Sequence, residues 1–293
     1  MSDTLRFEVP TALQYFASLV AEDEGFALLE AAISVAQDEY PQLDPQGVLA
    51  QVDALAERLK RRVPADAVAL QKLRFLNRYF FQDLGFAGNV NDYYDPRNSY
   101  LHAVLDTRRG IPITLALLYG ELAAQIGLQA RGVSFPGHFL VKLRASQGEV
   151  VIDPLTGHSL SRAELEERLM PYRRARGLTG DFEIPLGLFL QAAAPRDVIA
   201  RLLRNLKEIH RSAADWPRLL AVCERLVVLL PQAWEERRDR GLALAEMGRD
   251  EAAALDLADY LEHMPEAEDA APLRQRLLGL SGTGGRAPRR PLH

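Results

Sequence analysis

The chain of 293 residues contains a single cysteine, Cys223. That excludes an intrachain disulfide and any metal site built on several thiolates, and it fits a reducing compartment. Long apolar runs are also missing. The most hydrophobic stretches are broken by charges well short of the roughly 20 residues a membrane-spanning helix needs. The opening MSDTLRFEVP carries acidic residues and no apolar segment of the kind a secretory signal uses. The expected location is therefore the cytoplasm. Nor is there an excess of positive charge. Lysine and arginine total 35 against 40 aspartates and glutamates, a formal net charge of −5, which argues against a dedicated nucleic-acid binder. What is present is an ordinary globular composition, 48% hydrophobic and 26% charged. The length suggests two domains or three, enough to bury a full core without covalent staples.

The pattern divides the chain into three parts and a tail. Residues 1–85 read as helical, with apolar residues at helical spacing in TALQYFASLV, GFALLEAAISVAQDEY, QGVLAQVDALAERLKRRV and ADAVALQKLRFLNRYFFQDL. The acidic run Glu22-Asp23-Glu24 points in three directions on a helix, so it reads as a solvated turn rather than a metal site. Residues 86–190 change character. Turn formers crowd FAGNVNDYYDPRNSY, a short helix SYLHAVLD follows, and Gly110 and Pro112 open the apolar helix PITLALLYGELAAQIG, which Gly127 stops. Three short β-prone runs come next: QARGVSF, HFLVKLR and EVVID. Residues 191–280 are helical again and repetitive. Pro231 and Pro265 lie 34 apart, as do Ala214 and Gly248, which is the period of a tetratricopeptide unit. Two such units and a final helix around PLRQRLLGL would form a short solenoid. The tail 281–293, SGTGGRAPRRPLH, lacks core formers and is expected to be disordered.

The second and third β-runs can pair as an antiparallel hairpin in which partner numbers sum to 291. Lys142 then faces Glu149, Val141 faces Val150, Leu140 faces Val151 and Phe139 faces Ile152, with a turn around Ala145, Ser146, Gln147 and Gly148. The same register sets His138 opposite Asp153 on one face at the open end. A carboxylate beside an imidazole orients the ring, which makes the pair the base and orienter of a catalytic triad or a structural bond closing the hairpin.

GIPITLALLYGELAAQIGLQARGV, PGHFLV and VIDP together resemble the core of the transglutaminase and papain-like superfamily. In that core a nucleophilic cysteine opens a helix, a histidine starts the next strand and an aspartate ends the strand after it. The stretch RFLNRYFFQDLGFAGNVNDYYDPRNSYLHAVLDTRRGIPI is similar to the SirB-type subfamily, a bacterial group with an N-terminal helical region and C-terminal tetratricopeptide repeats. The resemblance implies an α+β fold: a helical region, a papain-like core with a small antiparallel sheet, then helical hairpins. It assigns the triad histidine to His138 and the triad acid to Asp153. It puts the nucleophile position on Pro112, which has no nucleophilic atom. The SirB-type group is similar in this respect. Proline is comfortable at a first helical position.

Other residues could carry chemistry. Thr114 sits in the first turn after Pro112, where a hydroxyl nucleophile would have exposed N–H groups near it; a threonine there more often bonds to backbone. Ser99 reads as an N-cap for SYLHAVLD. His102, on that helix, reads as a lone surface or core histidine, and His158, His210, His263 and His293 show no pairing pattern. The loop with Asn89, Asn91, Asp92, Tyr93, Tyr94, Asp95, Arg97 and Asn98 could line a polar cleft. It could equally cap itself through its amides and carboxylates and pack its tyrosines on the core. Asp92 and Asp95 match no full calcium loop.

Three functions follow as expectations. The first is a non-enzymatic scaffold or regulator that binds a polypeptide through the repeats or the core cleft. The second is a hydrolase or amide-modifying enzyme that uses His138 and Asp153 with a water or hydroxyl nucleophile. The third is a small-ligand or metal-binding domain. The missing thiol favours the first and speaks against a cysteine-dependent transglutaminase or protease. No cofactor and no metal are called for. Partners are expected to be polypeptide, not nucleic acid or membrane.

Overall fold

The computed structural model of the protein describes residues 9–22, 26–145, 148–178, 180 and 184–283. Chain contacts divide it into two compact units, one of residues 21–202 and one joining 1–20 to 203–293. Among the described residues no helix is long and apolar enough to cross a membrane.

The first helix, α1 (Ala12–Leu19), belongs to the unit that carries the repeats. A reciprocal pair of bonds between Thr11 and Gln14 opens it. Its fully buried Phe16 lies under the guanidinium of Arg225, 4.9 Å from the ring centre.

In the other unit α2 (Leu28–Ser34) and α3 (Pro45–Lys60) pack together. Asp44 caps α3 by accepting the N–H groups of Gln46 and Gly47, with Pro45 at the first position where its missing donor costs nothing. Next comes α4 (Ala69–Asn77), which continues as a wider π-helical turn over Arg78–Asp83. The loop that follows begins with the two-residue strand β1 (Ala87–Gly88) and contains a 3₁₀ turn, Pro96–Ser99. Then come α5 (Leu101–Thr107), β2 (Arg109–Gly110), which pairs parallel with β1, and the largely buried α6 (Pro112–Gln125).

The main sheet is antiparallel, in the order β3 (Gln129–Val133), β4 (Leu140–Ala145), β5 (Gly148–Ile152), β6 (Ser159–Leu160). One face lies against α6. The other buries Val133, Leu140, Val151 and Leu160 against Leu165 and Leu169 of α7 (Arg162–Ala175) and Leu186 of α8 (Leu186–Phe189). Each such leucine contributes ~1.5–3 kcal/mol of burial.

The hairpin register differs from the expected one by two residues. Partner numbers sum to 293: Val141 pairs with Ile152, Leu143 with Val150, Arg144 with Glu149 and Ala145 with Gly148. The observed register sets Glu149 opposite Arg144 while keeping it within reach of Lys142, so one carboxylate faces two cations. On its other side β4 pairs with β3, Val133 opposite Leu140. A shift of two keeps every side chain on its expected face. Lys142 still reaches Glu149, now diagonally, at 3.1 Å.

The second unit stacks α9 (Pro195–Ser212), whose first residues belong to the sheet unit, with α10 (Trp216–Leu229), α11 (Trp234–Glu246), α12 (Asp250–His263) and α13 (Ala270–Thr283). Apolar clusters around Cys223 and Tyr260 form its core. Ion pairs cross between helices: Lys207 to Glu236 and Asp239, Arg240 to both oxygens of Asp256, and Arg238 to Asp269. The expected disordered tail starts too early, since α13 runs through Ser281, Gly282 and Thr283; residues 284–293 lie outside the described residues, as do Asp23 and Glu24 of the acidic run.

Gly157 has φ +76°, and a Cβ there would fall 2.5 Å from the Phe81 ring. Gly157→Ala is expected to cost about 2–4 kcal/mol in denaturant unfolding, from left-handed strain plus the clash. Gly137→Ala, with φ +71° but nothing within 4 Å, should cost only about 1–2 kcal/mol. Equal losses in the two variants would count against the clash.

Candidate functional site

Asp153 follows the last residue of β5 and is almost fully buried. Its carboxylate collects three donors. Nε2 of His138 lies 3.0 Å from Oδ1, the Leu155 N–H donates to the same oxygen at 3.0 Å, and Arg168 of α7 donates to Oδ2 at 2.9 Å. Burial alone would raise this acid. The hydrogen bonds from His138, Leu155 and Arg168 more than offset that and hold it well below the usual carboxylate range. An ionised carboxylate only accepts, so Nε2 carries the proton of the neutral imidazole and Nδ1 is its basic atom. No hydrogen bond to Nδ1 forms among the described residues. His138 sits in the turn before β4, two residues short of the position opposite Asp153, and reaches it diagonally.

Arg168 is the member of this cluster that the sequence reading missed. The sequence held part of the signal. Ser161 and Glu164 form a capping box, and Leu165 and Leu169 mark the buried stripe of the helix, which puts Arg168 beside them facing the sheet end. His158, expected to be unpaired, lies 3.0 Å from Glu164. The Ser161 hydroxyl and N–H, then His158, draw that exposed carboxyl down to about 2.

Pro112 is the buried first residue of α6. Thr114 is fully buried. Its hydroxyl lies 2.8 Å from the Asn98 carbonyl and 3.0 Å from that of Ile111, and accepts the Ile111 N–H at 3.1 Å. It is bound to backbone on every side and presents no free hydroxyl. Cys223 is fully buried in the repeat unit. Burial pushes its thiol up to about 12.

The polar loop bonds mainly to itself. Asn98, buried, accepts from Asn89 at 3.0 Å and donates to the carbonyls of Asp92 and Tyr93 at 2.7 and 3.3 Å. Asn89 in turn accepts the Asp92 N–H, and Asp95 caps the 3₁₀ turn through the Arg97 N–H. Two expectations need correction here. Tyr93 and Tyr94 are not packed on the core but exposed, 56% and 72%, edge-on to each other. Asn91 is also exposed. Ser99 does not cap α5. Tyr100 holds that position, and the Ser99 side chain is buried without a hydrogen bond. His102 packs edge-on to Tyr40, its imidazole lowered by burial first and by Arg97, against the pull of Asp106. Among the described residues no group of three His, Cys, Asp or Glu could hold a metal ion.

With this geometry in hand, the relatives place the chain. A transglutaminase-like superfamily model matches residues 46–204, and a tetratricopeptide repeat model matches 206–278. A UPF0162 protein of Xylella fastidiosa is 38% identical over 265 residues, covering 89% of this chain and 92% of that protein. One from Pseudomonas aeruginosa is 29% identical over 261 residues, covering 89% and 93%. Part of mouse F-box only protein 21 is 44% identical over 72 residues, 25% of this chain and 12% of that protein. No solved structure matches. The chain belongs to the transglutaminase-like superfamily and, within it, to the UPF0162 family, the SirB-type group.

Two outcomes are expected. A carboxyl depressed in the fold titrates near pH 4 once unfolded. Its stabilisation is therefore complete above that pH and fades as pH falls towards the folded value. Unfolding free energies measured at pH 7, 5, 4 and 3 should fall more steeply below pH 5 for wild type than for Asp153→Asn; parallel curves would remove the carboxylate from that role. The thiol of native Cys223 should react with a disulfide reagent roughly a hundredfold more slowly than in denaturant, and a comparable native rate would refute its burial.

Proposed function

We propose that the protein is a non-enzymatic scaffold or regulator, a transglutaminase-like domain without its nucleophile that binds a polypeptide, helped by its tetratricopeptide repeats. One observation carries the reading. The position that would supply the nucleophile is a buried proline, the Thr114 hydroxyl two residues on is bound to backbone, and the only thiol is buried in another unit. On this reading His138 and Asp153 fasten the hairpin end to α7 through Arg168. The polar loop, self-capped by Asn89, Asp95 and Asn98, carries Tyr93 and Tyr94 as an exposed pair available to a partner. Segments 1–85, 86–190 and 191–280 keep separate roles as helical support, core and repeats. The cytoplasm is the compartment this reading assigns, with the lone buried thiol as its support.

A second reading has its own support, the basic Nδ1 of His138 left without a hydrogen bond among the described residues while Nε2 is held by Asp153. There a water molecule would be the nucleophile, and the protein would hydrolyse or modify an amide.

His138→Asn separates the two. As a structural partner, His138 should lose about 1–3 kcal/mol of stability on replacement, with no amide or ester hydrolysis in wild type or variant. As a general base it should leave unfolding unchanged and lower a wild-type hydrolytic rate by roughly 10²–10⁴-fold. Thermal unfolding beside a hydrolysis screen reads both. A stable variant that has lost a wild-type activity would overturn the scaffold reading.

A further inference from the structure

Strand β3 is the open edge of the main sheet, and beside it lies a cavity of about 440 Å³ between β3 and α6, closed by α2 and the start of α9. That volume is in the range of ligand pockets. Glu121 and Arg131 are the charged residues of its lining, and the other lining residues are apolar or glycine. Small residues open it: Ala116, Gly120 and Ala124, spaced four apart on α6, face Ala130 and Gly132 of β3. A Cβ added at Gly120 would meet nothing within 4 Å, so the helix presents bare backbone to the cavity.

The Gly132 carbonyl accepts the Ala193 N–H at 2.9 Å, from outside the sheet. Backbone groups alternate along a strand, so Gly132 and Ala130 point theirs outward, while Val133, Arg131 and Gln129 pair with Leu140, Lys142 and Arg144 of β4. Both backbone groups of Ala130 are without a partner among the described residues.

Charge continues the pattern on the other face. Side chains alternate along β3, so Arg131 projects away from the cavity. It is exposed, and it stands opposite Lys142, whose charge Glu149 meets at 3.1 Å. Arg131 itself has no carboxylate partner among the described residues. An incoming strand would alternate in the same way, one side chain over Gly120 and its neighbour beside Arg131.

We propose that β3 and this cavity form a docking site for an extended polypeptide segment. The segment pairs with Ala130, seats an apolar side chain over Gly120 and sets an adjacent acidic residue against Arg131. The proposal rests on the scaffold reading and supplies its partner class.

The probe is a fluorescein-labelled peptide, Ser-Glu-Leu-Glu-Leu-Glu-Ser-Gly, titrated with the full chain by anisotropy. Saturable binding is expected. It should weaken at least about tenfold when both leucines of the peptide become serine, in Gly120→Leu, which fills the cavity, and in Arg131→Glu, which reverses the charge. Gly120→Leu exchanges glycine for a better helix former, so its thermal midpoint should not fall below that of wild type. Ala124→Leu repeats the test from one turn further along. No saturable binding by wild type at millimolar peptide would overturn the site, as would undiminished affinity in both filled variants. Undiminished affinity with a negative hydrolysis screen removes this site and spares the scaffold reading. Amide hydrolysis that depends on His138 removes the scaffold reading whatever the peptide does.

Discussion

Burying a carboxylate costs several kcal/mol unless its lone pairs are met, and the end of the sheet is arranged around meeting those of Asp153. The three donors come from three places: the turn before β4, the turn after β5, and α7. Each is held elsewhere by ordinary means, β4 by its ladder and α7 by the Ser161 and Glu164 cap and by Leu165 and Leu169. The carboxylate joins them at one point. Removing any one donor would leave a buried charge short of a partner, a larger loss than the bond itself contributes.

Asn98 does for the start of α6 what Asp153 does for the end of the sheet. Its side chain gathers the polar loop, while its carbonyl takes the Thr114 hydroxyl and lies 3.3 Å from the Ile111 N–H, at the first turn of α6. A helix start needs partners for its free N–H groups. Here the loop supplies one of them, and Thr114 is consumed in the exchange. The catalytic alternative for Thr114 fails for that reason, a matter of hydrogen-bond accounting rather than position.

Much of this was legible in the residues. Helical periodicity, the 34-residue spacing and the β-prone runs led to the right elements, and the parity of the hairpin brought His138 and Asp153 to one face. The register itself was not legible, because pairs summing to 291 or 293 are both chemically sensible and a shift of two leaves the alternation of faces unchanged. Arg168 was hidden for a different reason. A single arginine on an amphipathic helix reads as surface until the helix is docked, although the capping box announced the helix. The exposure of Tyr93 and Tyr94 was also out of reach. Local capping leaves open where a loop's aromatic rings end up, and only the route of the chain through Asn98 turns them outward.

The repeat helices carry one further consequence. In a solenoid, each unit senses its neighbours through the interface they share. In this segment α11 is tied on one side by Lys207 to its Glu236 and Asp239, and on the other by Arg240 to Asp256 and Arg238 to Asp269. Glu236 is buried and Lys207 nearly so. Apolar contact offers dissolved ions no charge to screen, whereas charge pairs at the margin of a core are partly screened by them. The distance over which one helix of the stack feels the loosening of another is therefore a property of the surrounding electrolyte as well as of the sequence. A partner that brings its own charges to this segment would retune that distance simply by arriving.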